Sequence, residues 1–290
     1  MKIGFIGAGK VGLSFGRYLV NNNIRVSGYF SKSPSSAKGA AQYTGTNEFT
    51  TIDQLLHASE IIFITTPDDV IKSIAEELSK LSLSNQIFVH MSGALASEEL
   101  KDIKLKGKGC SIASLHPLQA FANIEQAVVN LKNTLFTLEG DHEAVVALKS
   151  IVELCGNEYA IIEAEKKALY HSAACVVSNY MVTLLDIGER LFQLSGISKD
   201  ISKAGLLPLL YSSLENYKGL GGEEALTGPI ARGDLKTLIK HMEAIQSYCP
   251  ELKDFYSSMG RETLELAARK KLRATEAVTA INNLWRDNHE

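Results

Sequence analysis

The spacing of apolar positions changes near residue 163. Before it, short apolar runs at Lys2 to Ile6, Ile24 to Phe30, Ile61 to Ile64, Gln86 to His90, Cys110 to Ser114, Asn133 to Leu138 and Glu158 to Ile162 read as strands. Between them, Val11 to Val20, Ser35 to Gln42, Ile52 to Leu56, Val70 to Leu81 and Glu143 to Cys155 carry helical patterns. The run Ile61-Ile62-Phe63-Ile64 is apolar without alternation, as a parallel strand covered on both faces must be. After residue 163 the pattern is helix upon helix. Glu163 to Leu194 reads as one long helix of about 45 Å, ended by Gly196 and apolar enough on most faces to be buried in its own domain or between subunits. Lys199 to Lys218 follows, with Pro208 placed to kink or split it. Leu235 to Tyr248, Glu251 to Lys271 and a tail near Thr275 to Trp285 complete the series. This order predicts an α/β chain: a doubly wound sheet with right-handed crossovers over residues 1–162, then an all-α domain over 163–290.

The first strand runs straight into Gly7-Ala8-Gly9-Lys10-Val11-Gly12, and a helix and second strand follow within about 30 residues. That context turns a common glycine pattern into a dinucleotide-binding turn of the Rossmann type. Gly7 allows the tight turn, Gly9 admits a pyrophosphate to the backbone, and Gly12 lets helix and strand pack closely. The helix start offers N–H groups to phosphate. A site for NAD usually carries an acid about 20 residues further on, yet no Asp or Glu occurs between Met1 and Asn47. Instead the second strand ends in Ser31-Lys32-Ser33, two hydroxyls and an ammonium suited to a 2′-phosphate, so NADP is expected over NAD. Ser31 to Ser36 is alternatively an ordinary polar loop.

Charge narrows the partners. Thirty Lys and Arg against 33 Asp and Glu give a net charge of -3, which provides no basic field for nucleic acid and points to a small-molecule partner. The first strand begins at residue 2, leaving no room for a leader, and the four cysteines show no CxxC spacing, so a reducing cytoplasm is expected. His171, Ser172, Ser178, Asn179 and Thr183 interrupt the most apolar stretch, 168–185, which argues against a membrane span. No metal motif stands out among the seven histidines.

Ligands of open α/β sheets bind beyond the carboxyl ends of the strands. Those ends supply Thr65-Thr66-Pro67, Ser92-Gly93 and Ser114-Leu115-His116-Pro117-Leu118-Gln119. Thr65, Thr66 and Pro67 are expected beside the cofactor, Ser92 beside nicotinamide or substrate, and His116 at the substrate as a group that titrates near neutrality. Lys167, His171, Cys175 and Asn179 recur every four residues and share a helix face. His116 and His171 are the candidate proton donors for the reduction, with Lys167 a further one, and Asn179 is a candidate hold on oxygen or nitrogen. Each also has an ordinary structural reading, as a solvated helix end or a satisfied core polar group. Arg232, in Leu226-Thr227-Gly228-Pro229-Ile230-Ala231-Arg232-Gly233-Asp234, is a candidate for a carboxylate or phosphate, and Asp234 is placed to cap the next helix.

Four motifs together carry a resemblance: the glycine loop, Ser114 to Phe121, Tyr170-His171-Ser172-Ala173-Ala174 with Ser178-Asn179, and Leu226 to Asp234. The chain resembles a bacterial family that joins an NADP-binding Rossmann domain to a helical domain of unknown function, DUF2520. More distantly it is similar to pyrroline-5-carboxylate reductase, ketopantoate reductase and the β-hydroxyacid dehydrogenases, whose helical part is of the 6-phosphogluconate-dehydrogenase C-terminal type. In the latter two a lysine and an asparagine four residues later serve catalysis; here His171 stands four residues after Lys167. The resemblance implies a homodimer built from the helical domains, with Thr227 and Arg232 near substrate. The expected activity is NADPH-dependent reduction of a small keto or imino acid in the cleft between the domains. A non-catalytic NADP sensor is the competing reading, and deazaflavin or NAD are lesser alternatives as cofactor.

Overall fold

The computed structural model describes residues 1–286, without the side chain of Arg286. Its first part alternates as β1 (Ile3–Ile6), α1 (Lys10–Asn21), β2 (Val26–Phe30), α2 (Pro34–Thr44), β3 (Asn47–Glu48), α3 (Ile52–Ala58), β4 (Ile61–Ile64), α4 (Asp68–Leu78) and β5 (Ile87–His90). It continues with α5 (Lys101–Lys106), β6 (Ser111–Pro117), α6 (Ile124–Leu131), β7 (Phe136–Gly140), α7 (His142–Leu154) and β8 (Tyr159–Ile161). The helices that follow are α8 (Lys167–Val177), α9 (Asn179–Leu194), α10 (Lys199–Leu220), α11 (Gly222–Ala225), α12 (Pro229–Arg232), α13 (Leu235–Tyr248), α14 (Lys253–Lys270) and α15 (Thr275–Arg286).

The sheet order is β3-β2-β1-β4-β5-β6-β7-β8. Strands β1 to β6 are parallel and give the Rossmann order 3-2-1-4-5-6. The sheet is not doubly wound throughout: β7 runs antiparallel to β6, with Ser114 opposite Glu139 and His116 opposite Thr137, and β8 is parallel to β7. Apolar runs reveal that a strand is buried but not which way it points.

Four aromatics lock the first half of the sheet to α1. Phe5 stacks between Tyr29 and Phe63 at centroid distances of 5.0 and 5.5 Å, and Phe15 meets Phe63 edge-on. Ile62, Ile64, Ile71, Leu78 and Phe88 form the core on the opposite face. Burial on both faces explains the unbroken apolar run in β4.

Two compact units divide the chain at 181/182. Among the described residues only helices follow β8, and α8 stays in the unit of the sheet. The expected single helix over 163–194 is interrupted: a short 3-10 turn precedes α8, and Ser178, at φ -108° and ψ -68°, separates α8 from α9. Nor is the stretch buried within its own chain. Residues 164–194 are long and apolar enough to cross a membrane by length and composition, and Leu169, Val176, Val177, Tyr180 and Val182 are exposed. Pro208 lies inside α10 without dividing it. In the second unit Trp285 is fully buried against Gly260, where a Cβ would stand 2.7 Å from the indole.

Replacing Phe5 by Ala removes the middle ring of the stack and is expected to cost about 3–5 kcal/mol. Val129→Ala, at an exposed position of α6, is expected to stay within about 0.5 kcal/mol. Urea unfolding followed by circular dichroism measures both.

Candidate functional site

Two cavities lie along the carboxyl edge of the sheet. The first, about 390 Å³, is lined by the glycine turn, by Phe30, Ser31, Lys32 and Ser36 after β2, and by Thr65, Thr66 and Pro67 after β4. Gly7 has φ +103°, and the Thr65 backbone lies 2.9 Å from where its Cβ would be. A Cβ on Gly9 would meet nothing of the protein closer than 4.0 Å. Packing therefore demands Gly7 but not Gly9, and the room above Gly9 is room for a ligand. The Thr66 hydroxyl is buried there without a hydrogen-bond partner. No acid stands in the first turn of α1 or α2. Ser33 caps α2 by accepting from the Ser36 N–H at 3.4 Å. Val11 and Gly12 lie outside this lining, and Gly12 packs on Thr65.

Lys10 does not point along the phosphate path. Its ammonium donates to the Ala122 carbonyl at 2.7 Å. Ala120 and Phe121, beside that carbonyl, line the second cavity, so this bond sets the two cavities next to one another.

The second cavity, about 460 Å³, is lined by His116, Gln119, His171, Cys175, Ser178 and Asn179, with apolar neighbours. None of its lining residues is an Asp, Glu, Lys or Arg. Beneath it lies a network that joins the ends of β5 and β6 to the first turns of α8. The Lys167 ammonium, 1% exposed, donates to the Ser92 carbonyl at 3.1 Å and to the Ser114 hydroxyl. The Ser92 hydroxyl donates to Asp68 Oδ2 at 2.7 Å and accepts from the Ala94 and Leu95 N–H groups. Its N–H donates to His90 Nδ1, so His90 carries its proton on Nε2 and gives it to the Ala96 carbonyl at 3.0 Å. His116 Nδ1 lies 2.8 Å from the Tyr170 hydroxyl, and its ring meets that of His171 edge-on at 5.9 Å. A Cβ on Gly93 would come within 2.5 Å of His171 Nδ1 and 2.8 Å of His116 Nε2. His171 Nδ1 is buried without a hydrogen-bond partner.

Burial sets the charge state. It pulls the His116 pKa down to about 4, with further lowering by the charges of Lys167, His171 and His90. His90 is lowered to about 4 chiefly by burial, partly opposed by its bond to Ala96. Lys167 is lowered to about 8 by burial, against the opposing pull of Glu139 and Asp68. The Tyr170 phenol is raised, again by burial. Both imidazoles are thus neutral at pH 7, and the ammonium is mostly charged.

The structure gathers Ser92, His116, Lys167, His171 and Asn179 around one cavity and its floor. It places Lys167 below the cavity as a clamp between strand ends. Thr227 and Arg232 belong to the second unit, where both are exposed and Asp234 caps α13 through Thr237. Asp68, Ser114 and Tyr170 are participants that the sequence pattern did not single out. Asp68 opens α4, where an acid also suits the positive end of the helix; its place just after β4 was the available signal.

A parallel Rossmann sheet with a glycine cradle at its first turn defines a nucleotide-binding class of protein. Residues 1–117 match the model of a Rossmann-like domain, and residues 134–263 match that of a domain of unknown function, DUF2520; the chain carries both. Among solved structures it is similar to a Thermotoga maritima protein, at 29% identity and TM-score 0.70 over 91% of this chain and 98% of that one. A Bacteroides fragilis protein provisionally described as an NADP oxidoreductase gives 20% identity and TM-score 0.72 over the same shares. The pyrroline carboxylate reductase of Plasmodium falciparum with NADP bound gives 17% and 0.57 over 97% and 98%. At these lower identities the likeness is one of fold. A Bacillus subtilis (strain 168) protein provisionally described as a 6-phosphogluconate dehydrogenase is 27% identical over 150 residues, which is 50% of this chain and 47% of that relative's length.

The two depressed histidines make a testable pH signature. A folded-state pKa of about 4 against an ordinary 6.5 means that the unfolded chain takes up protons first as pH falls. The resulting stability is present above pH 6.5 and is lost progressively down to about pH 4, on the order of 3 kcal/mol for each histidine. His116→Gln should flatten this acid limb in melting curves between pH 4 and 7; an unchanged limb contradicts the assignment.

Proposed function

We propose that the protein is an NADP(H)-dependent oxidoreductase that transfers hydride to a small keto or imino acid. The observation that carries this reading is the cradle. Gly9 is a glycine without a packing reason, in a cavity that holds an unpartnered Thr66 hydroxyl and ends in Ser31, Lys32 and Ser36. Those residues suit a pyrophosphate over the turn and a 2′-phosphate at the serine and lysine edge. The descriptions of the Bacteroides fragilis and Plasmodium falciparum proteins support the same cofactor. When bound, the nicotinamide supplies hydride. The neighbouring cavity then presents His116 and His171 to the reducible group, while Lys167 and Ser92 hold the loop on which they converge.

A homodimer belongs to this reading. Exposed Val182, Leu184, Leu209 and Tyr211 offer apolar surface, and Asp186, Glu189 and Arg190 on α9 suit a second copy of this chain better than lipid.

Reduced-nicotinamide fluorescence titrations with NADPH and NADH test the cofactor. NADPH should bind at least tenfold tighter, and Lys32→Ala should remove most of that preference, consistent with about 1.5–3 kcal/mol for a hydrogen bond to a charged group. Gly9→Ala should cost no more than about 1 kcal/mol of stability and still weaken NADPH binding tenfold or more. Equal binding of NADPH and NADH by the wild type removes the NADP assignment. Tight NADPH binding without turnover of any keto or imino acid supports the sensor reading instead.

A further inference from the structure

Hydride transfer leaves this site a proton to find. Hydride added to a carbonyl carbon makes an alkoxide, and the oxygen then needs a proton. His116 borders the cavity but holds no spare proton at neutral pH, because burial and the Lys167 charge keep it neutral. A neutral imidazole gives up its N–H readily only when its other nitrogen gains a proton in the same event.

The structure supplies that second proton. The Tyr170 hydroxyl is 2.8 Å from His116 Nδ1, with the two rings 84° apart. A phenol is the stronger donor of the pair and an imidazole nitrogen the stronger acceptor, so Tyr170 O–H donates to Nδ1 and the ring proton resides on Nε2. The His116 ring lines the cavity and packs closely on Gly93, where a Cβ would stand 2.8 Å from Nε2. His171, whose Nδ1 is buried without a partner, packs on the same glycine and lines the same cavity. The groups around His116 are thus Tyr170 and His171 from α8, Lys167 below them, and His90 from β5.

We propose that Tyr170 and His116 form a proton relay that completes the reduction of an uncharged carbonyl, a step that rests on the reductase reading above. Hydride from the reduced nicotinamide brings two electrons to the carbonyl carbon, and the C=O π pair moves onto oxygen. That oxygen takes the proton of His116 Nε2, whose bonding pair stays on the nitrogen, while Nδ1 takes the proton of Tyr170. The imidazole remains neutral and changes only its tautomer; a phenolate is left behind. The relay resets when a solvent proton reaches Nε2 and Nδ1 returns its proton to Tyr170, whose ring is only partly buried. The net uptake is one hydride and one proton. The transfer runs downhill, since a phenol, even one raised by burial as Tyr170 is, is a far stronger acid than an alcohol, whose alkoxide is a base comparable to hydroxide. A protonated iminium needs no such proton and would face two imidazoles above a buried ammonium, with no acid in the cavity lining. The substrate class is therefore a ketone or aldehyde carbonyl.

Imidazole nitrogen spectra of the ¹⁵N-labelled full chain at pH 7, with His116→Gln for assignment, should show His116 as the Nε2–H tautomer. Tyr170→Phe should raise the Nδ1–H form. In a screen of matched carbonyl compounds and cyclic imines with NADPH, carbonyl turnover is expected. Tyr170→Phe should lower kcat about 100-fold or more, the scale of general acid catalysis, with NADPH affinity unchanged. An Nδ1–H tautomer in the wild type overturns the relay, as does full kcat in Tyr170→Phe. Turnover confined to imines overturns the substrate class. Failure of the wild type to bind NADPH removes the reductase reading and the transfer step with it. The tautomer spectra, which need no nucleotide, would still test whether Tyr170 sets His116.

Discussion

The Lys167 ammonium is buried to within 1% of complete exclusion from water, and its hydrogen bonds join the turn after β5 to the end of β6. An unpaired charge in that position would cost several kcal/mol. Two oxygens accept its protons directly, and Glu139 and Asp68 pull electrostatically in its favour. Remove the side chain and the Ser92 carbonyl and Ser114 hydroxyl lose their donor together. The turn carrying Gly93 would then lose its tie to β6 and keep only its local bonds through Ser92. The residue belongs to the floor of the site.

The same charge shapes the chemistry above it. A cation below His116 makes an imidazolium there costly, and burial adds to the cost. His116 therefore acts through its N–H and lone pair. Asp68 completes the arrangement from the side by accepting the Ser92 hydroxyl, which leaves that hydroxyl free to accept from Ala94 and Leu95 and so fix the turn. Gly93 matters for what it lacks: any side chain would collide with His116 Nε2 and His171 Nδ1, which pack directly on it.

Local features of the site were legible in the sequence, and pairings across distance were not. The glycine turn could be read because strand, turn and helix lie within about 30 consecutive residues. The end of the strands showed as a change of period near residue 163, whereas the division into units at 181/182 left no mark in the pattern. The direction of β7 could not be read, because burial patterns carry no polarity. Lys167 and His171 stood out by type and spacing, but the depth of Lys167 depends on Ser114, 53 residues away, and the partner of His116 is 54 residues ahead of it. Tyr170 stood in the sequence only as the neighbour of His171 in a family motif on an apolar helix, with nothing to tie it to His116. The exposure of that helix ran against expectation, since apolar composition says that a face is to be covered without saying whether its own chain covers it.

The network also fixes a window of constant charge. Lys167 stays protonated up to about pH 8, and His90 and His116 stay neutral down to about pH 4. Between those limits none of the three changes state: burial opens the window on the acid side by depressing the histidines and narrows it on the basic side by depressing the lysine. Any pH dependence of ligand binding inside that window must come from other groups: the ligand's own or those nearer the surface. Above about pH 8 the ammonium loses its proton and its donation to Ser92 and Ser114 weakens, while His116, with a pKa of about 4, stays neutral throughout. A buried lysine in this position therefore ties the hold on the Gly93 turn to the loss of one proton.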